Sequence, residues 1–96
     1  MPAYIIVLRE GPVRDADAMA HYQSRSRESG SGHNLTPRVV YGAVEALEGV
    51  APDGVVVLEF PTVKEAKAWY DSAAYQEALP FRLKAADWRA FIVEGL

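Results

Sequence analysis

The chain contains no cysteine. That absence excludes disulfides, a thiol nucleophile and thiolate-bound metals together, and it fits a reducing, cytoplasmic setting, the expected location. Histidine is scarce, with two in 96 residues, His21 and His33. Neither stands at metal-ligand spacing from the other or from a pair of carboxylates, so no metal site, no haem ligand and no bound cofactor are expected. Basic clusters are missing as well. Ten lysines and arginines against 13 acids leave a net charge of -3, and without a basic face nucleic acid is not an expected partner. Long apolar runs are also absent. The run at Tyr4 to Leu8 is too short for a membrane span or the core of a signal peptide.

What remains is a chain whose residues are 50% hydrophobic, the balance of one soluble globular domain over residues 1–96. Its most informative stretch runs from Gly54 to Tyr75. Val55 to Phe60 are nearly all β-branched, aromatic or otherwise apolar, as in a strand covered on both faces. Pro61 lacks the N–H that would continue the ladder. Thr62 with Glu65 three residues on reads as a capping box, hydroxyl to backbone one way and carboxylate to backbone the other. Val63, Ala66, Trp69, Tyr70 and Ala73 then recur at helical spacing. Asp71 and Ser72 offer a cap for a second short helix carrying Tyr75 and Leu79, which Pro80 is expected to kink or restart.

Elsewhere, Ala3 to Leu8 reads as a first strand and Arg14 to about Glu28 as a helix, with Asp15 or Asp17 near its positive end. The apolar stripe of that helix (Ala18, Met19, Tyr22) covers its first half. From Gln23 the sequence turns wholly polar and becomes a glycine-serine loop. Pro37 to Leu47 is expected as a second strand, Pro52-Asp53-Gly54 as a turn, and Trp88 to Glu94 as the last strand. The order strand, helix, strand, strand, helix, strand predicts an α+β, ferredoxin-like βαββαβ sandwich: a four-stranded antiparallel sheet with the helices on one face. The other face should alternate with polar residues, yet Tyr4, Ile6 and Leu8 are as apolar as Ala3, Ile5 and Val7, and the third and fourth strands behave alike. Something must cover such a face. A second copy is the simplest cover, pairing sheet on sheet into a dimeric α/β barrel.

These residues resemble a known family. Glu-Ala-Leu-Glu-Gly at 45 to 49, Val-Leu-Glu-Phe-Pro-Thr at 57 to 62, Ala-Trp-Tyr-Asp-Ser at 68 to 72 and Tyr75-Gln76 carry the resemblance. Arg82, Val-Glu-Gly at 93 to 95, the opening Ala-Tyr-Ile-Ile, Tyr22 and Tyr41-Gly42 extend it over nearly the whole chain. The family is one of small bacterial proteins known only as domain of unknown function 1330, within the dimeric α/β-barrel superfamily. The resemblance implies the ferredoxin-like fold and a homodimer. Superfamily relatives include cofactor-free monooxygenases, muconolactone isomerases, haem-dependent chlorite dismutases and ligand-binding stress proteins, so it implies no single reaction. His33-Asn34-Leu35-Thr36-Pro37 stands where the family usually has a glycine pair, and the first helix ends in serines and arginines rather than apolar residues.

Candidate chemistry is sparse. Trp69 and Tyr70 on the second helix are either core packing or the wall of a ligand cavity. Tyr22 either packs in the core or presents its phenol as a hydrogen-bond donor. His21 reads as solvated, and His33 as a loop residue able to close over a ligand. Arg38, between apolar strand neighbours, needs a carboxylate such as Glu45, Glu59 or Asp71, or else an anionic ligand. Arg82 caps a helix or pairs with an acid across the pocket. Two functions from different classes follow. The first is a binding protein holding an apolar, oxygen-bearing metabolite. The second is a cofactor-independent enzyme (monooxygenase, isomerase or lactone chemistry) in which Tyr22 and an arginine, Arg38 or Arg82, orient substrate.

Overall fold

A computed structural model describes Met1–Leu96 and orders the chain as β1 (Ala3–Arg9), α1 (Ala16–Ser29), β2 (Thr36–Val40), β3 (Gly54–Phe60), α2 (Val63–Tyr70), α3 (Ala73–Ala85) and β4 (Trp88–Glu94). The strands form one antiparallel sheet in the order β2-β3-β1-β4. This is the ferredoxin-like βαββαβ sandwich, with its second helix divided in two. No helix is long and apolar enough to cross a membrane.

Register separates the two faces of the sheet. Ala3, Ile5 and Val7 pair with Phe60, Leu58 and Val56. These six point toward the helices, because side chains alternate along a strand. The largest fully buried side chains, Trp69, Tyr75 and Phe60, fill the space above them. Trp69 lies 5.7 Å from Phe60 and 4.2 Å from Tyr75, ring centre to ring centre. On the opposite face Ile6 pairs with Val57 and Phe91, and Tyr4 with Glu59 and Val93. No helix covers that face, and Phe91 and Val93 are 44% and 43% exposed.

Each helix starts on a side-chain cap. Asp15 accepts from the Ala18 N–H at 2.9 Å, and that bond holds its carboxyl below the usual carboxylate range. Thr62 accepts from the Glu65 N–H at 3.1 Å and Ser72 from the Tyr75 N–H at 3.3 Å. The reciprocal half of the expected capping box is not made: the Glu65 carboxylate accepts instead from the Asn34 amide.

Three expectations are corrected. Strand β2 ends at Val40 rather than Leu47, because Tyr41 takes a left-handed conformation, φ 55°, that turns the chain off the ladder. Helix α1 ends at Ser29, close to the expected Glu28, and buried Ser29 gives its polar half an anchor in the core. Helix α3 runs unbroken through Pro80: the proline ring is exposed, while Tyr75, Ala78, Arg82 and Ala85 bind the helix to the core on the other side. Arg38 is not in a covered strand. It sits at an irregularity in the β2–β3 register and is solvent-exposed. Replacing Thr62 by alanine removes one cap bond and should lower stability by about 1 kcal/mol, a fall in thermal midpoint of roughly 4–8 °C for a domain of this size. A circular-dichroism melt identical to the parent's would deny the cap that role.

Candidate functional site

Helix α1 packs on α3 through Ala18, Met19 and Tyr22, and Arg25 lies over Phe81 of α3 at 5.4 Å. Between the second half of α1 and the inner face of β1, β2 and β3 lies a cavity of about 370 Å³. Val7, Val56 and Leu58 form its floor, Leu35 and Pro37 one side, and Tyr22, Ser26 and Trp69 the side toward the helices. Eight of the twelve lining residues are hydrophobic, so the space suits an apolar molecule with few polar points.

The polar points are specific. Tyr22 and Tyr75 share a buried hydroxyl–hydroxyl hydrogen bond of 2.9 Å, their rings meeting edge to face at 6.2 Å. Burial, and then the neighbouring Tyr22, push the Tyr75 phenol well above the ordinary tyrosine range. The Trp69 indole N–H donates to Ser29 Oγ at 3.1 Å, and that hydroxyl donates to the Ser26 carbonyl at 2.6 Å. Tyr41 closes the end of the cavity, its phenol likewise pushed up by burial.

Of the residues singled out in the sequence, Tyr22 and Trp69 meet at this cavity. Tyr70 is half-buried and packs against the Tyr75 ring at 5.2 Å, the two rings tilted by 40°, and does not line the cavity. His33 lies in a separate shallow groove with Asn34, Glu59 and Pro61. Arg38 pairs with Glu59 at 3.2 Å, exposed to solvent. Arg82 is buried and lies over Trp88 at 5.7 Å. His21 is exposed and stacks on Phe81 at 5.3 Å. Nowhere do three histidine, aspartate or glutamate side chains converge as a metal would need.

Ser26, Ser29, Leu35, Tyr41 and Tyr75 were not read as site residues. A signal existed for the two serines: they fall four and seven residues after Tyr22, continuing its face of the helix. Nothing local marks Tyr75 or Tyr41, whose partners are 53 residues away or set by a turn conformation.

The chain belongs to the family described as Domain of unknown function (DUF1330), which matches residues 2–96. No curated protein matches it significantly. Among solved structures it is similar to a protein of unknown function from Rhodopseudomonas palustris, at 21% identity over 99% of this chain and 82% of that one, TM-score 0.74. A dimeric ferredoxin-like protein of unknown function from Thermobifida fusca superposes with TM-score 0.65, at 17% identity over 97% of this chain and 90% of that one. An ethyl tert-butyl ether D family protein from Bacillus halodurans is 13% identical over 100% of both chains, TM-score 0.67. These likenesses establish the ferredoxin-like fold.

The hydroxyl pair has a measurable signature. Tyr22→Phe strands the buried Tyr75 hydroxyl and should cost about 1–3 kcal/mol in urea denaturation. Removing both hydroxyls should cost much less than the sum of the two single changes. Additive losses would show that the two groups do not act as a pair.

Proposed function

We propose that this protein binds an apolar, oxygen-bearing small molecule in the cavity between α1 and the sheet, and that it works as a homodimer paired through the outer sheet face. The cavity itself carries the first part. A cleft of about 370 Å³ with mainly apolar walls offers water few hydrogen-bond partners, so an apolar ligand gains by displacing it.

Binding fits the walls better than turnover does. No carboxylate or histidine lines the cavity, so no general base faces its contents. The Tyr22 hydroxyl is engaged with Tyr75, and Arg38 is held by Glu59 away from the cavity. The enzymatic alternative therefore has only the phenols of Tyr22 and Tyr41 there to work with, and burial pushes that of Tyr41 up. A thermal-shift series of small aromatic acids, lactones and quinones should raise the melting midpoint for at least one class, since a ligand bound only by the folded state stabilises it by mass action. Ser26→Phe, which fills the cavity, should abolish the shift. Equal shifts in both proteins would place the ligand elsewhere.

The dimer rests on the outer face. Ile6, Leu8, Val55, Val57, Phe91 and Val93 form an apolar surface that no element of the chain covers. The segment after β2 adds Leu47 and Val50, 92% and 99% exposed. A face of this kind on an isolated subunit invites association, and a two-fold pairing closes it without leaving a further edge. Light scattering at micromolar concentration should give twice the mass of the chain, and Phe91→Glu should halve it. A parent protein already at the single-chain mass would refute the pairing.

A further inference from the structure

Helix α3 carries a buried stripe of Tyr75, Ala78, Arg82 and Ala85. Arginine is out of place there. Its side chain is always charged, and a buried charge is costly without a partner. Arg82 is 4% exposed, and its Nε and Nη1 are sealed from solvent with no acceptor. The ion pairs of the chain join Arg14 to Asp87, Arg38 to Glu59, Lys84 to Asp15 and Arg89 to Glu10. None reaches Arg82. What surrounds it is aromatic: the guanidinium lies 5.7 Å over the Trp88 ring, and the Trp88 indole N–H donates to the Arg82 carbonyl at 2.8 Å. Trp88 in turn packs 6.4 Å from Tyr22, a wall of the cavity. The guanidinium therefore lies one ring behind that wall.

The hydroxyl pair beside it has a surplus of the same kind. Tyr22 and Tyr75 bring two protons, and their mutual bond uses one. The other has no acceptor among the hydrogen bonds of either residue. Three guanidinium N–H groups, one on Nε and two on Nη1, and one phenol proton thus stand unmatched along the same buried stripe of α3. Such a set accepts a group made only of acceptors, and a planar carboxylate matches an arginine fork.

We propose that the cavity's ligand is an apolar carboxylate, its anionic end held by Arg82 and the Tyr22–Tyr75 hydroxyls and its apolar body lying against Leu58, Val56 and Val7. This rests on the binding reading above and names the ligand's class. The Tyr22 ring turns aside to admit the carboxylate. Arg27, exposed at the cavity's edge, is the rival anion contact, but a solvated charge discriminates weakly.

Calorimetry with phenylacetate and phenylacetamide, equal in shape and different in charge, tests the assignment on the unaltered protein. Phenylacetate should bind at least about ten-fold more tightly, a preference expected of a charge-assisted contact. Arg82→Met should erase the preference, Arg82→Lys should reduce it, and Arg27→Gln should preserve it. Ser26→Phe should weaken both probes. Acetate should raise the melting midpoint of the parent above that seen with acetamide, and not that of Arg82→Met. Equal affinity for the two phenyl probes overturns the carboxylate anchor and leaves the cavity standing. Stabilisation by acetate with no binding of either phenyl probe keeps the anchor and refutes the apolar cavity. No response to either carboxylate overturns the anchor outright, whether or not the Arg82 variants fold.

Discussion

The buried indole N–H of Trp69 sets the terms for the rest of the structure. Trp69 is among the most deeply buried side chains, wedged between Phe60 and Tyr75, and its nitrogen can only donate. A buried donor without an acceptor is expensive, so something must come to it. Ser29 does, at the last turn of α1, and passes its own proton back to the Ser26 carbonyl. This short relay pins the polar end of α1 at the height of the indole. Ser26, the other serine of the relay, is too small to fill the space between helix and sheet, and that gap is the cavity it lines.

The two halves of α1 therefore serve different ends. Ala18, Met19 and Tyr22 pack it into the core, and the first two meet Ala85 of α3. Gln23, Ser26 and Arg27 border the cavity. The same helix is rigidly docked at one end and bridged over open space at the other. Gly30, its C-terminal cap, completes the bridge, because a Cβ there would stand 3.2 Å from the Leu35 side chain. The missing Cβ leaves room for Leu35 to close the side of the cavity.

Much of this was legible in the sequence, and the parts that were not share a cause. Ala3 to Leu8, the Thr62 and Ser72 caps and the strand that stops at Pro61 are local patterns, and they gave the ferredoxin-like order directly. The polar half of α1 showed no apolar stripe because its fixing contact is Trp69, 40 residues on. Strand β2 read as too long because Tyr41, a residue that favours strands, turns left-handed instead. Pro80 read as a kink or restart because a proline costs a helix one backbone bond, yet the helix continues to Ala85, its opposite side packed in the core. Tyr22 and Trp69 were visible as an inward-facing pair; Tyr75 was visible only as a helix residue. Arg38 and Arg82 posed one question, which acid each meets, and sequence could name acids but not distances. Arg38 finds Glu59 from the neighbouring strand. Arg82 finds none.

Strand β3 joins the two surfaces on which the functional reading depends. Its Val56 and Leu58 are the cavity floor, while Val55 and Val57 belong to the open apolar face. Because side chains alternate on a strand, one stretch of backbone serves both. In the isolated chain that backbone is held by its ladders to β1 and β2 and by the core on one side only. A second copy against Val55 and Val57 would hold it on the other side as well, so the floor would meet a ligand already in place rather than order itself on binding. Preorganisation of this kind lowers the cost of association without adding a contact to the ligand. It gives a physical reason for an apolar outer face on a protein whose cavity lies on the inner one.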